Sequence, residues 1–130
     1  EFIHIVIEVE EFSKTVREQA QSLAKLLGDT LGANLIGILS YKSKSDELAP
    51  LIYVPHLDSL IWERGCGSGT ASLGAYLAFK NKGEVVAKIK QPGGTIHVVA
   101  NYHEEELTSL KIEGSVGIVA QGKAFIDVSL

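Results

Sequence analysis

The first apolar run, Phe2-Ile3-His4-Ile5-Val6-Ile7-Glu8-Val9, is rich in β-branched residues and predicts a strand over residues 2–9. From Phe12 the period changes. Phe12, Val16, Ala20, Leu23 and Leu27 recur at spacings of three and four, with Lys14, Arg17, Glu18, Gln21 and Lys25 between them. That spacing predicts an amphipathic helix over 12–27, stopped by Gly28 and lying on the outside of a sheet. Strands are predicted again at 34–41, 48–54 and 59–62, with a polar hairpin loop at 42–47. Pro50 implies an edge position or an irregular start for its strand.

A glycine-rich stretch, Gly65-Cys66-Gly67-Ser68-Gly69-Thr70, then leads into Ala71-Ser72-Leu73-Gly74-Ala75-Tyr76-Leu77-Ala78-Phe79. The second segment is small or apolar nearly all round, so a helix here is expected to be buried on most of its faces. Lys80, Asn81, Lys82 and Gly83 give it a C-terminal signal. The remainder predicts strands at 84–90, 95–101, 108–113 and 115–127, with turns at Gln91-Pro92-Gly93-Gly94 and Gly114 and a solvated turn around Glu104-Glu105-Glu106. Together these elements predict an α+β fold, a mostly antiparallel, barrel-like sheet around a central buried helix.

Composition narrows the classes. At 130 residues, with 45% hydrophobic and 22% charged positions, the chain fits one globular domain. A net charge of −4 without a Lys/Arg cluster argues against a nucleic-acid or anionic-membrane partner, and no apolar run is long enough to span a bilayer. The single cysteine excludes an intramolecular disulfide and suits a reducing, cytoplasmic location. His4, His56, His97 and His103 lack metal-binding spacing, so no metal site is expected. The chain opens on Glu1, has no methionine and enters a core-like strand at once, which implies an upstream part.

The chemistry concentrates at Cys66. A strand end, a glycine-rich turn and a helix start in succession leave backbone N–H groups pointing outward with the positive end of the helix dipole. Glycines let an anion approach closely, and Ser68 and Thr70 can add hydroxyl donors. A thiol at that position can have its pKa lowered. An activated thiolate beside an anion cradle would fit a substrate with a carboxylate next to an acidic C–H, such as an amino acid. The residues alone leave a second reading open, in which Cys66 is inert packing. Nucleotide binding is disfavoured: no Lys follows the last glycine, and the surroundings are not a βαβ unit.

The segment Cys66-Gly67-Ser68-Gly69-Thr70-Ala71 after Glu63-Arg64-Gly65 resembles the second active-site motif of the diaminopimelate epimerase family. The resemblance extends over most of the chain in element order. It takes in the strand histidine His4, Asn34 in Ala33-Asn34-Leu35-Ile36, the Pro92-Gly93-Gly94 turn, and Gly122-Lys123-Ala124-Phe125-Ile126 near the end. It implies a cofactor-independent amino-acid racemase or epimerase, built of two similar halves with one cysteine each and the substrate between two helix N-termini. Cys66 would then be one of the two acid/bases, with the backbone of Gly67, Ser68 and Gly69 holding the α-carboxylate. Asn34 and Glu63 or Arg64 would be substrate contacts. The chain would be the C-terminal half, its partners the missing N-terminal domain and an amino-acid substrate, and alone it would not turn over.

In one respect the sequence departs from the family. Gly65 runs straight into Cys66, where the family carries a longer segment that helps read the distal end of diaminopimelate. A different amino acid is implied, with the racemases of metallophore pathways, histidine racemases among them, as candidates. Two other functions sit on the same fold: a non-catalytic ligand-binding relative, and an isomerase of the phenazine-biosynthesis type with an acidic base in place of cysteine. Two copies of the chain could also pair about a two-fold axis as a homodimer and mimic the two-half arrangement.

Overall fold

The computed structural model describes residues 1–128. Seven strands form one sheet: β1 (Phe2–Glu8), β2 (Leu35–Lys42), β3 (Glu47–Val54), β4 (Ser59–Trp62), β5 (Glu84–Gln91), β6 (Gly94–His103) and β7 (Glu106–Gly114). The order across the sheet is β1-β2-β3-β5-β6-β7, and β4 also pairs with β3. Four ladders are antiparallel, while β1–β2 and β3–β5 are parallel, so the sheet is mixed. Two helices, α1 (Lys14–Leu31) and α2 (Gly67–Asn81), complete the fold.

Burial on both faces explains the continuous apolar runs of β2 and β3. Alternation sends Ile36, Ile38, Leu51 and Tyr53 to one face, where Ala20 and Ala24 of α1 meet them. Leu39, Tyr41 and Leu48 go to the other, against Leu73 of α2 with Ile89 and Val98. α2 touches β1 and β2 at one end of the sheet and β5, β6 and β7 at the other, so the sheet must curl around it. The curl stops at a half-barrel. Ala71, Ala75 and Tyr76 stay half-buried and Phe79 is exposed, so the expected barrel-like sheet around a buried helix is met as a half-barrel whose helix keeps one side partly open.

Three local readings also differ. Gly28 lies inside α1, which runs on to a left-handed Gly32 (φ 61°). Its missing side chain serves packing, because a Cβ there would come within 2.7 Å of the Tyr53 ring. Pro50 sits in the body of β3, on no outer edge. β4 and β5 leave that side of β3 at different points, and Pro50 lies between their registers, where its carbonyl accepts from the Glu63 amide at 2.9 Å. Its missing N–H faces this fork and leaves no ladder bond unmade. Residues 115–127, predicted as a strand, pair with nothing among the described residues.

Candidate active site

Cys66 lies in the fork between β4 and β5. It is the N-cap of α2, with extended backbone (φ −130°, ψ 109°), and its sulfur accepts the Gly69 amide at 3.2 Å. A side chain that caps a helix in this way satisfies one of the four amides the helix leaves open. The Thr70 amide bonds the Cys66 carbonyl at 2.9 Å. Gly67 and Ser68, at the first two helical positions, keep amides that no carbonyl of the helix can reach. The Gly69 amide, expected as a third carboxylate donor, is turned to the sulfur instead.

The turn itself is held by a residue that sequence reading did not single out. Gln91, buried at the end of β5, accepts the Cys66 amide through Oε1 at 2.8 Å and donates through Nε2 to Thr70 Oγ1 at 2.7 Å. Thr70 Oγ1 in turn donates to the Cys66 carbonyl at 2.6 Å. Both backbone groups of Cys66 are thereby fixed. Across the turn, the Gly93 amide donates to the Arg64 carbonyl at 2.6 Å, and a Cβ on Gly93 would stand 2.9 Å from that oxygen. This close approach accounts for glycine after Pro92.

A polar chain runs from the sulfur to β1. Ser68 Oγ lies 3.6 Å from Cys66 Sγ, Ser72 Oγ donates to the Ser68 carbonyl at 3.0 Å, and the same Oγ is 3.1 Å from His4 Nδ1. Ser72 has one proton. Once it goes to the Ser68 carbonyl, His4 must donate from Nδ1, and Nε2 is left with a bare lone pair. Nε2 is buried and has no partner. The ring lies over Gly37, where a Cβ would come within 2.3 Å of it. Burial lowers the His4 pKa, with the Glu63 carboxylate opposing, so the ring is neutral.

Burial also dominates at the cysteine, pushing the thiol up. The Ser68 hydroxyl and Gly69 amide pull it down, and the nearby Glu63 carboxylate raises it again. The lowered thiol expected from the helix N-terminus is therefore not what the site presents: desolvation outweighs the donors, and Cys66 rests as a thiol. Neutralising Glu63 tests the balance. In Glu63→Gln one raising charge is lost, the thiol pKa falls, and Cys66 alkylates about three- to tenfold faster at pH 8. Mass spectrometry of the Cys66 peptide reads the rate, and an unchanged rate would place the carboxylate away from the sulfur.

The other expected contacts are more scattered. Glu63 is half-buried and acts on both His4 and Cys66. Arg64 is exposed, and its guanidinium donates to the Pro92 carbonyl at 3.3 Å. It lines a cavity of about 390 Å³ together with Gly65, Gly93, Thr95, Ile96 and Ser115. Asn34 is exposed before β2, where Oδ1 accepts from the Glu1 amino group, and no hydrogen bond joins it to the cysteine among the described residues. Among the described residues, no three His, Cys, Asp or Glu side chains cluster to hold a metal. No helix there is long and apolar enough to cross a membrane.

Residues 1–125 match the family model described as histidine racemase CntK N-terminal domain. A histidine racemase of Staphylococcus aureus (strain Mu50) is 32% identical over 127 residues, which cover 97% of this chain and 46% of that protein. A histidine racemase of Fusobacterium nucleatum is 32% identical over 123 residues, covering 95% of this chain and 44% of that protein. The chain thus spans about half the length of these relatives. The matching model is described as an N-terminal domain, whereas the motif order in the sequence pointed to a C-terminal half.

Proposed function

Because the chain belongs to the histidine racemase family, we propose that it is one half of a cofactor-independent amino-acid racemase in which Cys66 exchanges the α-proton on one face of the substrate. The observation that carries the reading is a buried cysteine capping a helix whose next two amides stay open. Those amides, of Gly67 and Ser68, receive the α-carboxylate, and the helix dipole favours its charge. This places Cα near the sulfur. The names of the relatives point to histidine as the substrate.

The protonated resting state of Cys66 gives the step a direction. A base on the other half removes the Cα proton. The electron pair stays on the substrate as a carbanion conjugated with the carboxylate, and the Cys66 S–H delivers its proton to the opposite face. The thiolate left behind is met by the Gly69 amide and the Ser68 hydroxyl. Return of the product runs the same transfers backwards. A thiol raised by burial keeps its proton until the carbanion forms, and the two bonds to the resulting anion make both directions of transfer accessible.

The place of this half in the whole protein is part of the proposal. The Glu-Arg-Gly, Cys-Gly-Ser-Gly order supports the C-terminal position, and the description of the matched model supports the N-terminal one. A second cysteine-bearing half encoded upstream decides for the first, one encoded downstream for the second. The activity is tested on the complete polypeptide in D₂O with L-histidine. Deuterium is expected to enter Cα as the circular dichroism signal of the amino acid decays. No exchange with histidine or any other amino acid, combined with protection of Cys66 by carboxylates, would make the domain a ligand-binding relative.

A further inference from the structure

Cys66 is not part of the helix it caps. It stands in extended backbone before Gly67, whereas the open amides of Gly67 and Ser68 belong to α2 itself. The sulfur and the carboxylate cradle are therefore carried by two different pieces of backbone. Their spacing holds only if residue 66 is tied down from outside the helix. Gly65 and Gly67 flank it, and neither resists rotation through a side chain. Packing at Gly65 is loose, since a Cβ there would meet only Ile96 Cδ1, at 4.0 Å.

The helix holds the carbonyl of Cys66 through the Thr70 amide at 2.9 Å. Among the described residues, the amide of Cys66 is held by Gln91 alone, whose Oε1 accepts it at 2.8 Å from 25 residues away. The sense of that bond is forced. Thr70 Oγ1 gives its one proton to the Cys66 carbonyl at 2.6 Å, so towards Gln91 it can only accept. Gln91 Nε2 is the donor that meets it, at 2.7 Å, which leaves Oε1 for the Cys66 amide. Thr70 is fully buried and Gln91 nearly so, which shields both bonds from water.

We propose that Gln91 is a positioning residue for the proton transfer: it fixes Cys66 Sγ relative to the carboxylate held by Gly67 and Ser68, and so sets the distance the α-proton travels. The proposal rests on the racemase reading. Without the clamp a substrate still finds both amides, but the thiol is no longer aimed, and a misplacement of about 1 Å costs about 10²-fold.

The test uses the complete polypeptide, with rates corrected for the folded fraction measured by urea unfolding. Gln91→Leu is expected to lower kcat for histidine at least about 30-fold and to leave KM within about threefold. Ile36→Val, a core change on the other face of the sheet, should alter neither. Gln91→Glu, which keeps an acceptor opposite the Cys66 amide, should regain at least about tenfold in kcat over Gln91→Leu. α-Deuterated L- and D-histidine separate aim from general loosening. In Gln91→Leu the isotope effect should rise in the direction in which Cys66 removes the deuteron and fall in the other, where Cys66 donates a solvent proton. A kcat within about threefold of the unaltered protein, a KM that rises while kcat holds, or isotope effects that move alike in both directions overturns the proposal. If the unaltered polypeptide exchanges the α-proton of no amino acid, the racemase reading fails by itself. The clamp is then judged by alkylation of Cys66, expected at least about tenfold faster in Gln91→Leu than in Ile36→Val after the same correction, and equal rates overturn it too.

Discussion

Cys66→Ser is expected to lower racemisation by the complete polypeptide at least about 10³-fold while leaving the fold intact. Positioned acid–base groups contribute about 10²–10⁴-fold in rate, and a serine hydroxyl is far too weak an acid to replace the thiol in either direction of proton transfer. The same substitution is mild structurally. Serine ranks among the best N-cap residues, and its oxygen can accept the Gly69 amide that the sulfur now accepts at 3.2 Å. The Gln91 and Thr70 bonds go to the backbone of residue 66 and are untouched. Deuterium entry at Cα measures the loss, and thermal unfolding checks that the midpoint stays within about 3 °C, the shift that roughly 1 kcal/mol brings. Activity within tenfold of the unaltered protein would remove Cys66 from the proton pathway.

Gln91→Leu is expected to destabilise the protein by about 1–3 kcal/mol, because the buried Cys66 amide is orphaned, while Thr70 Oγ1 keeps its bond to the Cys66 carbonyl. The Cys66 amide loses its acceptor, and Thr70 Oγ1 loses its donor. Replacing Thr70 as well gives the sharper reading. Thr70→Val alone strands the Gln91 amide and frees the Cys66 carbonyl from its 2.6 Å bond. In the double variant the two side chains are both apolar, and the loss should fall short of the sum of the single losses by about 1 kcal/mol or more. Urea unfolding measures all three. Strict additivity would mean that the Gln91–Thr70 bond contributes nothing on its own.

Much of the fold is legible in the sequence because burial leaves a periodic trace. The β-branched runs of β1 to β3, the three-and-four spacing of α1 and the small-residue face of α2 each follow from what they pack against. The cysteine turn is legible as well, since strand end, glycines and helix start follow one another directly. Less accessible is what depends on residues distant in the chain. Gln91 looks like part of a polar turn until β5 brings it to Cys66, 25 residues away. Gly28 looks like a helix stop until the Tyr53 ring occupies its space. The direction of the Cys66 shift is hidden from the sequence for a related reason. Sequence shows a helix N-terminus, which favours a thiolate, but not the burial that outweighs it. The strand pattern at 115–127 is plain in the sequence, and among the described residues that segment pairs with no strand.

The fork beside β3 bears on how the protein is made. On the ribosome Cys66 emerges well before Gln91 and the Pro92-Gly93 turn that close over it, and chains lengthen by about 5–20 residues per second. For a second or more the growing chain carries an ordinary, open thiol, whose reactivity nothing yet restrains. The parallel contact of β5 with β3, Glu47 against Lys90, must form before the turn is locked, and pairings that close so long a loop come late. A nascent or partly unfolded chain is therefore the form most vulnerable to oxidation at Cys66, and the closed fork shields the sulfur once it has formed.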